Sequence, residues 1–150
     1  MSQLTPDDST PLGLMALDAE DLAVISAHVQ DAVLRPADIV WRPGDGLLVL
    51  TLRRFDWSSP ARRPQRRLSA LHFGRVARVV HKGMDPSAGA LNLLAISFEP
   101  GEAPSGALRL DFSGGGAIRA EVECIEAQLK DLGPVWEAIR RPAHETDGEL

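Results

Sequence analysis

The sequence predicts an α+β fold: an antiparallel meander sheet of about six or seven strands, with an N-terminal amphipathic helix and a short C-terminal helix. Three observations carry that reading. One apolar stripe with helical spacing follows Asp18. Several later runs alternate apolar and polar residues with a period of two. Short turns rich in glycine and proline separate those runs, which favours neighbouring antiparallel strands over long crossovers.

Residues 1–11 are polar and twice broken by proline, so they are expected to form a disordered arm. Residues 12–140 read as a single domain and 141–150 as a flexible acidic tail. Leu12 to Leu17 fits a short edge strand. Asp18 then suits a helix N-cap, with Asp21 three residues on and Leu17 and Leu22 at the positions of a hydrophobic staple. Leu22, Ile25, Val29, Ala32 and Val33 form the stripe, and Arg35-Pro36 is expected to end the helix, because the residue before a proline is pushed out of the α region.

A hairpin follows: Asp38 to Arg42, a turn at Pro43-Gly44-Asp45-Gly46, and Leu47 to Phe55. The run Leu47-Leu48-Val49-Leu50-Thr51-Leu52 is apolar on both faces, as in a central covered strand. Trp57 to Arg67 reads as a surface loop. Leu68 to Lys82 is strand-like, and Gly74 in its middle marks a bend, a bulge or a division into two strands. Leu91 to Phe98 is a further strand.

The clearest pattern lies at 107–124. Leu108, Leu110 and Phe112 alternate with Arg109 and Asp111, Ser113-Gly114-Gly115-Gly116 supplies a hairpin turn, and Ile118, Ala120, Val122 and Cys124 continue the inward face. From Ile125 the spacing Ile125, Leu129, Leu132 predicts a helix, with one more turn over Val135 to Ile139 beyond Gly133-Pro134. Strongly curled and closed by that C-terminal helix, such a meander would form a pleckstrin-homology-like barrel; the sequence leaves strand order and closure open.

The totals bound the function. Net charge is −5 with four histidines taken as neutral, which argues against bulk attraction to nucleic acid or anionic lipid. Met1 to Leu14 lacks the basic start and apolar run of a secretory signal, and no apolar stretch is long enough to span a bilayer. A single cysteine can form no internal disulfide and no cysteine-rich zinc site, so the expected compartment is the cytoplasm.

Several segments carry a resemblance. Leu17-Asp18-Ala19-Glu20-Asp21-Leu22, Arg54-Phe55-Asp56-Trp57, Leu94-Ala95-Ile96-Ser97-Phe98-Glu99-Pro100-Gly101, and the run from Gly114 to Glu126 are similar to the alpha-proteobacterial domain-of-unknown-function family numbered 2948. The resemblance spans roughly Leu14 to Trp136 and implies a small bacterial cytoplasmic protein. It brings no catalytic residue and no cofactor with it.

Candidate chemistry is sparse. Cys124 sits among Glu121, Glu123 and Glu126, which favour the neutral thiol, and its place in the strand pattern suits core packing. His28, His72, His81 and His144 show no metal-binding spacing. The glycines at 114–116 join two strands, unlike a phosphate loop, and Asp45, Asp56 and Asp85 fall at turns. No catalytic, cofactor or metal residue is assigned.

The segment from Arg53 to Lys82 departs from the average. It carries nine basic residues against one acid, Asp56, in a chain that is acidic overall. Three readings stand for it. The arginines can be a solvated loop that keeps strand edges apart. They can dock an acidic protein partner or the acidic face of a second copy, or they can grip nucleic acid, which the overall charge disfavours. The expected interaction surface is Phe55, Trp57, Arg62, Arg63, Arg66 and Arg67, and the expected function is a non-enzymatic protein-binding or accessory module using the basic loop at 53–67. The alternatives are a small-ligand-binding protein or enzyme whose site is assembled only in space, and RNA or DNA binding through the arginine loop.

Overall fold

The computed structural model describes residues 11–56 and 65–132. Among the described residues, ten strands and one α-helix follow in the order β1 (Gly13–Ala16), α1 (Ala19–His28), β2 (Ala32–Leu34), β3 (Ile39–Arg42), β4 (Leu47–Asp56), β5 (Gln65–Phe73), β6 (Val76–Lys82), β7 (Leu91–Pro100), β8 (Gly106–Phe112), β9 (Ala117–Val122) and β10 (Ala127–Asp131). All pairings are antiparallel, and the strand order is β1-β10-β5-β4-β2-β7-β8-β9-β6, with β3 lying beside β4. The molecule is mainly an antiparallel sheet, with more strands than the expected six or seven.

The helix starts where the sequence places it. Asp18 accepts a hydrogen bond from the Asp21 amide at 2.8 Å, filling one of the donors that a helix N-terminus leaves unpaired. Leu22, Ile25 and Val29 bury against the sheet, whereas Leu17 stays 64% exposed and so makes little of the expected staple. Ser26 adds a polar tie: its hydroxyl accepts from the Ile96 amide at 3.0 Å, just beyond an irregularity in the β7–β8 register.

The helix is shorter than the stripe suggested. It stops at His28, Asp31 takes a left-handed φ of 65°, and Ala32–Leu34 becomes β2. The Asp31 amide donates to Leu93 O at 2.7 Å, which starts the pairing of β2 with β7. Gly74 and Arg75 divide the long run at 68–82 into β5 and β6, one of the outcomes that the central glycine allowed.

The expected helix from Ile125 is instead β10. Ala127, Leu129 and Asp131 point inward, and Gln128 and Lys130 outward, a period of two. A separation of four residues fits both a strand and a helix, so Ile125 and Leu129 could not tell them apart. Pairing decided it: β10 is inserted between β1 and β5, with Leu129 opposite both Leu14 and Leu71. That insertion also breaks the plain meander. The further helical turn expected at 135–139, residues 1–10 of the arm, the tail and Trp136 lie outside the described residues.

The described strands do not close into a barrel. One half holds β1, β10, β5, β4 and β3, the other β2, β7, β8, β9 and β6, and the two meet where Val33 of β2 pairs with Arg53 of β4. The core lies on the inner face. Leu48, Leu50, Leu52, Leu71, Phe73, Leu93, Leu108, Leu110 and Phe112 are buried there with Leu22 and Ile25 of α1.

Candidate functional site

The strand β4 alternates strictly, with Leu48, Leu50, Leu52, Arg54 and Asp56 all buried on the inner face. In β5 the same face carries Arg67, Ser69, Leu71 and Phe73. The inner face of this hairpin is therefore apolar at the Leu48–Phe73 end and charged at the Asp56 end. A charge in such a position costs several kcal/mol, on the order of the desolvation penalty of each ion, unless a counter-ion and hydrogen bonds replace water.

Both arginines have such partners. Arg54 meets Asp131 of β10 through two parallel bonds, Nε to Oδ1 at 3.0 Å and Nη2 to Oδ2 at 2.9 Å. The Ser69 hydroxyl donates to Asp131 Oδ1 at 2.7 Å, and the Leu12 amide donates to Oδ2 at 2.7 Å. Arg67, only 1% exposed, donates from Nε to Asp56 Oδ2 at 2.7 Å. Burial pushes the Asp131 carboxyl up, but the Arg54 guanidinium, the Ser69 hydroxyl and the Leu12 amide outweigh it, and its pKa lies below the ordinary carboxylate value.

The outer face of the same hairpin is different. Arg66 lies over the Phe55 ring, its guanidinium carbon 3.8 Å from the ring centroid, and donates from Nη1 to the Arg53 carbonyl at 3.1 Å. Burial lowers the Arg66 pKa, Asp31 opposes that, and Arg53 adds to it. Arginine remains cationic at neutral pH under such shifts. Exposed Arg53 pairs with Leu68, and Lys130 is exposed on the adjacent β10. Arg66, the Phe55 ring beneath it and Arg53 thus share one outward patch, with Lys130 a third cation on the outer face of the neighbouring strand.

Of the expected interaction surface, Phe55 and Arg66 come together, Arg67 turns into the core, and Trp57, Arg62 and Arg63 lie outside the described residues. A family model, protein of unknown function (DUF2948), matches residues 12–144. The chain belongs to this DUF2948 family. No curated protein and no solved structure matches it.

The remaining candidates of this DUF2948 protein are scattered. His28 Nδ1 donates to Val24 O at 2.9 Å within α1, His72 is the penultimate residue of β5, and His81 is near the end of β6. Cys124 is half-buried. Among the described residues no three His, Cys, Asp or Glu side chains gather as metal ligands, and no helix is long and apolar enough to cross a membrane. Sequence reasoning singled out neither Ser69 nor Asp131, and it counted Arg54 only among the basic residues of the 53–82 segment. Their only signal was their parity: each falls on the inward phase of its strand.

Proposed function

We propose that this chain is a non-enzymatic protein-binding module that presents the outer face of the 53–67 segment to an acidic protein surface. The observation that carries the reading is the Arg66–Phe55 stack. Arginine and aromatic residues are the side chains that most often dominate binding energy at interfaces, and an ordered stack reduces the entropy lost on docking. On the inner face behind it, buried ion pairs tie β4 to β10 and to β5. The family resemblance supports reading the protein as alpha-proteobacterial, and the lone cysteine supports a cytoplasmic setting.

The test uses a variant that spares Arg67, since reversing that buried charge would damage the fold. The parent and an Arg62→Glu, Arg63→Glu, Arg66→Glu variant with matching thermal unfolding are used as bait in native lysate, with and without nuclease. The expected result is a nuclease-resistant protein retained by the parent and lost by the variant, with retention weakening as salt rises. Equal retention by both baits, or none by either, overturns the reading. Retention removed by nuclease replaces it with nucleic-acid binding, and a parent that retains only its own copies replaces it with self-association.

A further inference from the structure

We infer that the cleft between β3 and β6 is a binding site for a small apolar molecule bearing a carboxylate. This rests on different residues from the basic patch and does not depend on that patch having a partner.

The cleft follows from the open sheet. β3 pairs only with β4, and β6 only with β9, so each has one free edge among the described strands. The two sides are tied at one end, where the Val76 amide donates to the Gly46 carbonyl at 3.0 Å. Gly46 adopts φ 60°, and a Cβ there would lie 3.1 Å from the Val76 carbonyl oxygen, so the tie depends on glycine. Beyond the tie lies a cleft of about 450 Å³ lined by Ile39 and Trp41 of β3, Val79 and His81 of β6, Met84 of the following loop and, at the floor, Ile118.

Its size and lining suit a small molecule. Ligand sites commonly enclose roughly 300–1,000 Å³, mostly apolar, with a few polar groups that fix orientation. Here the polar groups are the His81 imidazole, opposite Ile118 in the β6–β9 register, and the Trp41 indole. Neither makes a hydrogen bond within the described residues. The indole can only donate, and imidazole retains an N–H donor in both of its charge states.

Among the described residues no carboxylate lines the cleft. Asp85, next to Met84, is turned into its own loop, where it accepts from the Ser87 amide at 2.9 Å and the Ser87 hydroxyl at 2.8 Å. Two donors and no lining acid favour an anionic or acceptor head over an ammonium. Met84 is seated closely: a Cβ on Gly116 would come within 2.7 Å of its sulfur. A flexible thioether in that place lets the apolar wall adapt to its guest.

The probe is decanoate below its micelle concentration, with decanol and decylammonium as controls, added to the full chain carrying ¹³C-methyl methionine. The expected result is a saturable shift of the Met84 methyl and a saturable change in tryptophan emission. Met15, exposed on β1, should not respond. Val79→Phe should fill the cleft and abolish the Met84 response. His81→Ala should weaken decanoate by about tenfold, the scale of one charge-assisted hydrogen bond, while leaving decanol nearly unchanged. Both variants are first matched to the parent in thermal unfolding; if Val79→Phe fails that match, Ile39→Phe, which also fills the cleft and keeps the Met84 reporter, takes its place.

The site is overturned if decanoate produces no saturable Met84 shift, or if decylammonium binds as tightly. It is also overturned if His81→Ala and the filled variant both bind like the parent. A Met84 signal that moves with protein concentration rather than with decanoate would assign the cleft to a second copy of the chain.

Discussion

Arg54 and Arg67 stand directly opposite each other in the β4–β5 register, and both turn into the core. Two like charges across a strand pair repel each other, and burial sharpens the repulsion. The arrangement holds because each guanidinium has its own carboxylate, Asp131 for Arg54 and Asp56 for Arg67. Asp131 also links four strands' worth of backbone, through Arg54 of β4, Ser69 of β5, its own β10 and the Leu12 amide just before β1.

Removing one partner should therefore cost far more than removing both. Asp131→Ala leaves the Arg54 charge buried and should lower unfolding free energy by about 3–5 kcal/mol. Replacing the pair together with apolar side chains, Arg54→Met with Asp131→Leu, should restore a large part of that loss. Urea unfolding of the parent, the two single variants and the double variant measures it. A double variant no better than the sum of the singles would contradict the pairing.

Acid should unpick the same contact. The folded Asp131 pKa lies below its ordinary 3.8, so the unfolded chain takes up the proton first as pH falls. The carboxylate's contribution is whole above the ordinary carboxylate range and is lost as pH drops through that range towards the depressed folded value. The stability gap between the parent and Asp131→Asn should be constant near neutrality and shrink on acidification. Urea midpoints at a series of pH values, at fixed ionic strength, report it.

The outward arginine should behave differently. Arg66→Ala loses a cation–ring stack on a partly exposed face, worth about 0.5–1 kcal/mol. Its melting temperature should fall by a few degrees at most, whereas Arg54→Ala should be severely destabilised. Comparable losses in the two variants would contradict the inside–outside division of the basic segment.

That division explains what could be read from the residues alone. The helix start at Asp18 and the 107–122 hairpin were legible, because capping and apolar alternation are local signals. The hairpin end at 53–69 was not, because Arg54, Asp56, Arg67 and Ser69 take positions that the alternation reserves for apolar residues. The spacing Ile125, Leu129, Leu132 gave Asp131 no part, whereas in the strand it completes the inward face Ala127-Leu129-Asp131. The partners that make inward charge tolerable are up to 77 residues apart, and no local window contains both. The cleft was illegible for a related reason, since Trp41 and His81 meet only through the strand order.

A smaller prediction concerns the β7–β8 turn. Gly106 lies under the Phe98 ring, and a Cβ added there would run into that ring and into the Glu99 carbonyl. Because one of those obstacles is backbone, Gly106→Ala should cost about 1–3 kcal/mol, typical of overpacking. A thermal melt that matches the parent would show that the turn can open to take a methyl group.

The position of β10 also bears on how the chain is made. Among the described strands β1 pairs only with β10, and β10 covers the second edge of β5. The Leu12 amide waits for a carboxylate 119 residues later. On the ribosome, a nascent chain that has not yet released residue 131 carries an uncovered β5 edge and an unneutralised Arg54. Exposed strand edges recruit other chains, and contacts this distant in sequence are slow to form. Synthesis of this protein therefore passes through a vulnerable interval that ends when its last described strand slides into the slot left for it.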